Sequence, residues 1–168
     1  RLVGSEMCIR DSSLTFATSE TSAVMHLISY ELINLSERFT PFTTINASEV
    51  SNQSGIAAFT TMIGYFDDGD YLTYSPIDFG LGTNSIKITY AKATTGGRLE
   101  IRKGDVNGEV IGNYYPASTG GWANYQTVDI PIETTFGINK LTFVAKDLTY
   151  GLMNLKSFQL SPVSAGYI

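Results

Sequence analysis

Apolar and polar residues alternate with period two along most of the chain from residue 41 onward, and the 3.6-residue spacing of an amphipathic helix is weak. Ser85-Ile-Lys-Ile-Thr-Tyr-Ala-Lys alternates throughout. Arg98–Lys103 sets Leu99 and Ile101 on one face and Arg98, Glu100 and Arg102 on the other. Further strands are predicted at Tyr71–Tyr74, Tyr125–Ile132, Lys140–Ala145 and, after a break at Gly151, Leu152–Leu160. Turn clusters punctuate them: Asp67-Asp-Gly-Asp, Gly80-Leu-Gly, Thr94-Thr-Gly-Gly, Val106-Asn-Gly, Ser118-Thr-Gly-Gly and Phe136-Gly-Ile-Asn. Strands at this even spacing, with no long helix, predict an all-β fold: an antiparallel β-sandwich, most simply a jelly roll. The stretch 41–162 is close to the commonest domain size and can bury one core.

The ends differ in character from this stretch. Residues 1–12 show no strand or helix pattern, carry the single Cys (Cys8) and resemble translated adaptor sequence; they are expected to lie outside the fold. Residues 14–32 repeat 141–160. Leu-Thr-Phe recurs, Val-Met-His-Leu matches Leu-Met-Asn-Leu, and Ser-Tyr-Glu-Leu matches Ser-Phe-Gln-Leu, with seven identities. The expected organisation is therefore a tandem array. Residues 13–33 are the last strands of a preceding copy, 34–40 a linker, 41–162 a complete copy, and 163–168 the start of the next linker.

Composition narrows the chemistry. The net charge is −5 and Lys and Arg do not cluster, which argues against nucleic acid as a partner. No apolar run approaches the roughly 20 residues of a membrane-spanning helix, and no membrane partner is expected. One Cys and one His disfavour a zinc site, a disulfide framework and most His-dependent catalysis. Asp67, Asp68 and Asp70 form the densest acidic group, but no second carboxylate cluster opposes them as a glycosidase would need. They read as a turn around a left-handed Gly69, with Asp70 holding backbone beside the next strand.

Aromatic residues at turn boundaries suit a binding role better. Trp122 follows Ser118-Thr-Gly-Gly, and Tyr65 follows Gly64 just before the Asp turn. A flat ring complements the C–H face of a pyranose, removing apolar surface from water and attracting polarised C–H groups. Two such rings across a slot can hold one sugar between them.

Four blocks carry a family resemblance: Ile45-Asn-Ala-Ser-Glu-Val-Ser-Asn-Gln-Ser-Gly55, Ile63-Gly-Tyr-Phe-Asp-Asp-Gly-Asp-Tyr-Leu-Thr-Tyr74, Ser118-Thr-Gly-Gly-Trp122 and Leu152-Met-Asn-Leu-Lys-Ser-Phe158. In order and spacing they resemble carbohydrate-binding module family 6 over about 41–162, and residues 14–33 resemble the end of a second such module. The resemblance implies a non-catalytic jelly roll appended to a secreted glycoside hydrolase, with the catalytic domain outside this chain. The implied partner is a β-linked polysaccharide or oligosaccharide of xylan, β-glucan or agarose type. The implied setting is extracellular or cell-surface, and the implied form a monomeric module in a multidomain chain. The family's rim site falls on Tyr65, Trp122 and Asn154, whose amide offers both donor and acceptor to sugar hydroxyls. Asn154 otherwise caps its own strand end. A second family site on the concave face uses a Trp where this chain has Tyr71, which alternatively packs beside Tyr74 and Tyr90.

Two departures stand out. The Gln or Glu usual in the family after the Ser-Gly-Ile segment is replaced by Ala57, Ala58 and Phe59, so sugar specificity does not transfer. The family's structural calcium is expected to be lost, leaving no cofactor and no metal. Its acidic N-terminal segment here reads Asn46-Ala-Ser48, the Asp two residues beyond the site Asn is Lys156, and Glu49 stands one residue out of register. The Lys156 ammonium is expected to bond Asn46 or nearby carbonyls in place of the ion. The competing functional reading is a structural or adhesion repeat of a cell-surface protein with a vestigial sugar site.

Overall fold

The computed structural model describes residues 43–163. The expected artefact at 1–12, the repeat fragment at 13–33 and the linker at 34–40 lie outside these residues, as does all of 163–168 except Val163. Among the described residues there are strands and no helix. The strands are β1 (Ile45–Asn46), β2 (Asn52–Ser54), β3 (Ala57–Ala58), β4 (Ile63–Gly64), β5 (Tyr71–Asp78) and β6 (Thr83–Lys92). They continue with β7 (Arg98–Lys103), β8 (Glu109–Tyr114), β9 (Gly121–Thr135), β10 (Ile138–Lys146) and β11 (Asn154–Pro162).

All pairings are antiparallel and form two sheets. One has the order β3-β4-β11-β6-β9, with β1 also on β11; the other runs β2-β5-β10-β7-β8. The β-sandwich expected from the alternation is thus the observed architecture. Strand β7 has the predicted limits, and its Leu99 and Ile101 are fully buried. Strand β9 begins at Gly121, four residues earlier than expected, and β11 begins at Asn154, two residues later.

Each strand turns one face to the shared core. Ile86, Ile88 and Tyr90 of β6, with Phe158 and Leu160 of β11, meet Leu72 and Tyr74 of β5, Leu99 and Ile101 of β7, and Leu141 and Phe143 of β10. An aromatic trio joins the sheets. The Tyr74 and Phe158 rings lie 4.7 Å apart at 64°, Phe143 and Phe158 5.2 Å apart at 86°, and Tyr74 and Phe143 5.9 Å apart at 66°. Edge-to-face pairs of this kind contribute about 0.5–1.5 kcal/mol each beyond their buried area.

Tyr74 also has a polar task. Its hydroxyl donates to the buried Ala47 carbonyl at 2.8 Å, tying the chain beyond β1 to the other sheet. Burial, with a smaller contribution from the Glu49 charge, pushes the Tyr74 phenol far above its ordinary value of 10. An unfolded chain releases that proton near pH 10 while the folded chain retains it. The Tyr74 contribution is therefore complete below pH 10 and is lost as pH rises above it, by at most about 1.4 kcal/mol per pH unit. Tyr74→Phe is expected to be less stable than the parent by about 1 kcal/mol at pH 8, from the lost hydrogen bond. Urea unfolding at pH 8, 10 and 11 should show that deficit shrinking and then reversing.

Candidate functional site

Tyr65, Trp122 and Asn154 are brought together at one end of the sandwich, around a cavity of about 270 Å³. They arrive from three separate elements. Tyr65 follows β4, Trp122 is the second residue of β9, and Asn154 opens β11.

Tyr65 has a left-handed backbone, φ 55°, and a ring 61% exposed. Such a φ in a residue with a Cβ costs about 1–3 kcal/mol and needs surrounding structure to hold it. That structure is present. Phe66 is fully buried, and its carbonyl accepts from the Leu152 amide at 2.7 Å. Asp67 Oδ1 accepts from the Gly151 amide at 2.6 Å. The Asp turn is structural, as its sequence suggested. Asp70 Oδ2 accepts from the Asp67 amide at 2.8 Å, and Gly69 is left-handed with φ 87°. Burial raises the Asp70 carboxyl above its ordinary value against that hydrogen bond, and the Asp67 and Asp68 charges add to the rise.

Trp122 is half-buried. Gly151, with φ 54°, lies against the benzo edge of its indole: a Cβ there would stand 2.9 Å from Cη2. Asn154 Nδ2 donates to the Trp122 carbonyl at 2.8 Å. The Asn therefore caps the Trp strand, not its own, and fixes the segment that carries the ring. Its Oδ1 abuts Gly64, where a Cβ would stand 3.0 Å away. One amide thus couples all three segments.

Two further rings line the same cavity. Phe59 is 47% exposed and stands 6.4 Å from the Tyr65 ring at 32°; Tyr150 is 62% exposed. Sequence reasoning passed over both as site residues. Phe59 registered only as a departure from a family pattern, and Tyr150 stood unmarked beside the Gly151 break. For Tyr150, an aromatic flanking a turn glycine was the available signal.

Tyr71 does not line this cavity. It lies half-buried on the outward face of β5, paired with Ser54 and Val144, while Tyr74 and Tyr90 point into the core. The alternative that Tyr71 packs beside those two is therefore incorrect: residues 71 and 74 differ by three and fall on opposite faces of the strand. The outward face carries an ionic cluster as well. Glu100 accepts from Arg102 and, at 2.7 Å, from Arg98. Burial works to raise the Glu100 carboxyl, but the two guanidinium groups hold it below its ordinary value.

The residues that the resemblance sets at the family's calcium position make other contacts. Glu49 lies in a turn after β1, not on a strand, and its Oε1 accepts from Asn46 Nδ2 at 2.6 Å. Lys156 is skipped in the pairing with β6, at a bulge between Leu155 and Ser157, while its carbonyl accepts from the Ala47 amide at 2.9 Å. Its ammonium lies over the Tyr125 ring, 5.3 Å from the centroid, and so does not serve Asn46 as expected. One carboxylate turned to an amide donor is a poor substitute for the six to eight oxygens calcium takes. Among the described residues, no cluster of three His, Cys, Asp or Glu side chains is placed to hold a metal.

The sequence profile described as "Carbohydrate binding module (family 6)" matches residues 39–162. The chain belongs to this family. A family 6 module from Clostridium cellulolyticum, solved in complex with xylose, is 33% identical with a TM-score of 0.69; the match covers 73% of this chain and 99% of that one. A β-1,3-glucan-binding family 6 module from Bacillus halodurans is 32% identical with a TM-score of 0.67, covering 72% and 96%. Endo-1,4-beta-xylanase A of Thermoclostridium stercorarium is 35% identical over 106 residues, which is 61% of this chain and 20% of the xylanase. The chain thus spans about a fifth of the curated relatives it matches. As a family 6 module it is a non-catalytic carbohydrate-binding domain.

The contact between Gly64 and Asn154 generates a prediction. In Gly64→Ala the new methyl must displace the amide by a few tenths of an ångström, because β4 is paired on both sides. Sugar affinity is expected to fall several-fold while the melting temperature moves by less than about 5 °C, roughly 1 kcal/mol. Calorimetric titration alongside thermal unfolding measures both.

Proposed function

We propose that this module targets a polysaccharide-degrading enzyme to a neutral β-glycan of xylan or β-glucan type, holding a terminal sugar between the rings of Tyr65 and Trp122. The observation that carries this reading is the Asn154 amide. Its nitrogen donates to the Trp122 carbonyl, which leaves its oxygen as an acceptor for a ligand in the cavity that Asn154 lines with Tyr65 and Trp122. A sugar hydroxyl donates to that oxygen while the two rings cover the C–H faces. The cavity is small beside the roughly 300–1,000 Å³ of typical ligand pockets, which suits one ring better than an enclosed chain. Xylose and β-1,3-glucan in the titles of similar modules, and a xylanase among the relatives, support the ligand class and the enzyme context. That context supports action on polymer outside the cell. The repeat at 14–32 supports a tandem arrangement, in which two linked modules bind one polymer more tightly than either alone.

Phe59 in place of a polar residue removes one possible selector of hydroxyl orientation and adds apolar wall. We therefore expect this site to rank sugars by ring shape more than by a single hydroxyl.

Loss of the Trp122 ring is expected to cost about 1–3 kcal/mol of binding, by analogy with aromatic stacking on other flat ligands. Trp122→Ala should thus bind xylo- and β-1,3-gluco-oligosaccharides ten- to a hundred-fold more weakly, with an unchanged far-ultraviolet circular-dichroism spectrum. Unaltered affinity in a folded variant would put the site elsewhere.

The same reading has the module working without the family's calcium. Thermal unfolding in excess EDTA and then in millimolar calcium is expected to give the same midpoint. A calcium-dependent rise of several degrees would show a bound ion.

A further inference from the structure

Lys92 closes β6 with its side chain fully buried. An ammonium at that depth ordinarily needs a carboxylate beside it, because the charge has left water. Among the described residues no carboxylate pairs with it, and its ammonium has one partner, the carbonyl of Gly96. Burial lowers its pKa with no counter-charge to offset the shift. Lys92 does not line the rim cavity. It nevertheless grips the parts that hold Trp122 from two sides.

Its main chain holds the approach to the ring. The Lys92 carbonyl accepts from the Thr119 amide at 2.8 Å and from the Ser118 hydroxyl at 3.2 Å, and its amide donates to Thr119 Oγ1 at 2.8 Å. Lys92 also pairs with Gly121, next to Trp122 in β9. Its side chain holds the backing of the ring. Gly96 belongs to the β6–β7 turn, residues 93–97, in which Gly96 and Gly97 are both left-handed, with φ 75° and 81°. A Cβ at Gly97 would stand 2.7 Å from Leu152 Cδ1. From the same turn Thr94 Oγ1 donates to the Gly151 carbonyl at 3.0 Å, and Gly151 is the residue against the indole edge.

An apolar side chain of the same length would fill this space without the cost of burying a charge, and such replacements are often neutral or stabilising. What the ammonium adds is a directed bond to one carbonyl. A Gly-Gly pair has many conformations open to it, and that bond selects one. We propose that Lys92 is a positioning residue for the rim site: its ammonium fixes the β6–β7 turn through Gly96, and the turn, through Thr94 and Gly151, sets the angle of the Trp122 ring toward a sugar. This rests on the rim reading proposed above.

The test uses the whole chain and its single Trp, which reports from the rim. Lys92→Met removes the charge and keeps the length; Thr94→Val removes the next link and keeps the shape. Thermal unfolding, acrylamide quenching of Trp122 emission and affinity for xylo- and β-1,3-gluco-oligosaccharides are measured for each beside the parent and Trp122→Ala. Lys92→Met is expected to melt within about 5 °C of the parent, or above it. It should alter the quenching and bind sugar about fivefold more weakly, the worth of one hydrogen bond. Thr94→Val should move both in the same direction, and the double variant should lose no more than the weaker single one, since both act through one chain of contacts. Affinity and quenching within about twofold of the parent in folded Lys92→Met overturn the inference, as does full additivity in the double variant. A larger fall in melting temperature alongside the weaker binding shows a structural role only and also overturns it. If Lys92→Met does not fold, Thr94→Val decides: parental affinity there overturns the inference, and weaker binding in a stable fold supports it. When the parent binds and Trp122→Ala does not, the rim reading stands whatever these variants do. Sugar binding retained in Trp122→Ala, or absent from the parent, removes the rim reading and this role of Lys92 with it.

Discussion

The insertion of the last strand, β11, into the middle of the six-stranded sheet is the constraint on which the rest of the structure depends. β11 pairs with β6 along one side and with β1 and β4 along the other. Without it, β1 has no ladder and the β3–β4 pair has no sheet to join. The short strands of the N-terminal quarter are too small to stand by themselves, and β1 and β4 take their order from a much later segment. Phe158 then completes the aromatic trio with Tyr74 and Phe143, so one strand closes both the hydrogen-bond ladder and the core. The first residue of that strand is Asn154. Core closure and site assembly are therefore one event.

That coupling explains how the rim tolerates unfavourable backbone. Tyr65 and Asp147 both have positive φ without being glycine, at 55° and 61°, and Gly151 has φ 54° between the strands they flank. Left to local preference none of these turns would keep its shape. Each is held by a bond to something already fixed: Phe66 to Leu152, Asp67 to Gly151, Asp147 to Arg98. The strain turns the Tyr65 ring outward while Phe66 enters the core. A relaxed extended residue at 65 would still alternate with Phe66, but it would not redirect the chain into the Asp turn that meets Gly151.

The sandwich was legible because alternation survives wherever one face is buried. Strand β7 was read to the residue, since its core positions, Leu99 and Ile101, sit between charged neighbours. Strands β1 to β4 were not read: two or three residues are too few to show a period, and tertiary pairing alone makes them strands. Strand β8 was not predicted, since Gly112 interrupts its alternation; a Cβ at 112 would meet Ile132 at 2.8 Å, so close packing sets the glycine there. Tyr65, Trp122 and Asn154 converged as family position suggested. The partner of the Asn154 amide did not follow from sequence, because it lies on a strand 32 residues away. The orientation of Lys156 was misjudged for a related reason. A bulge after Leu155 leaves it out of the pairing with β6, and a bulge has no signature in a run such as Leu-Met-Asn-Leu-Lys-Ser-Phe.

The bulge bears on more than one side chain. It lets Leu155 and Phe158, three residues apart, both enter the core, where strict alternation would have turned one of them outward. Leu155 pairs with Ile63 of β4 on one side and Tyr90 of β6 on the other, just beyond Asn154. Ladder order is thus firm beside the site residue and irregular one residue further on. Lys156, skipped in the pairing with β6, reaches the Tyr125 ring on β9, the same strand that presents Trp122. At this place the strand is held to its neighbours by its backbone ladders to β6, β1 and β4, and that cation–π contact adds to them. An ammonium over an exposed ring is worth about 0.5–1 kcal/mol, far less than a fully ligated ion. The ladders and the aromatic trio together close β11, and the rim inherits its geometry from them.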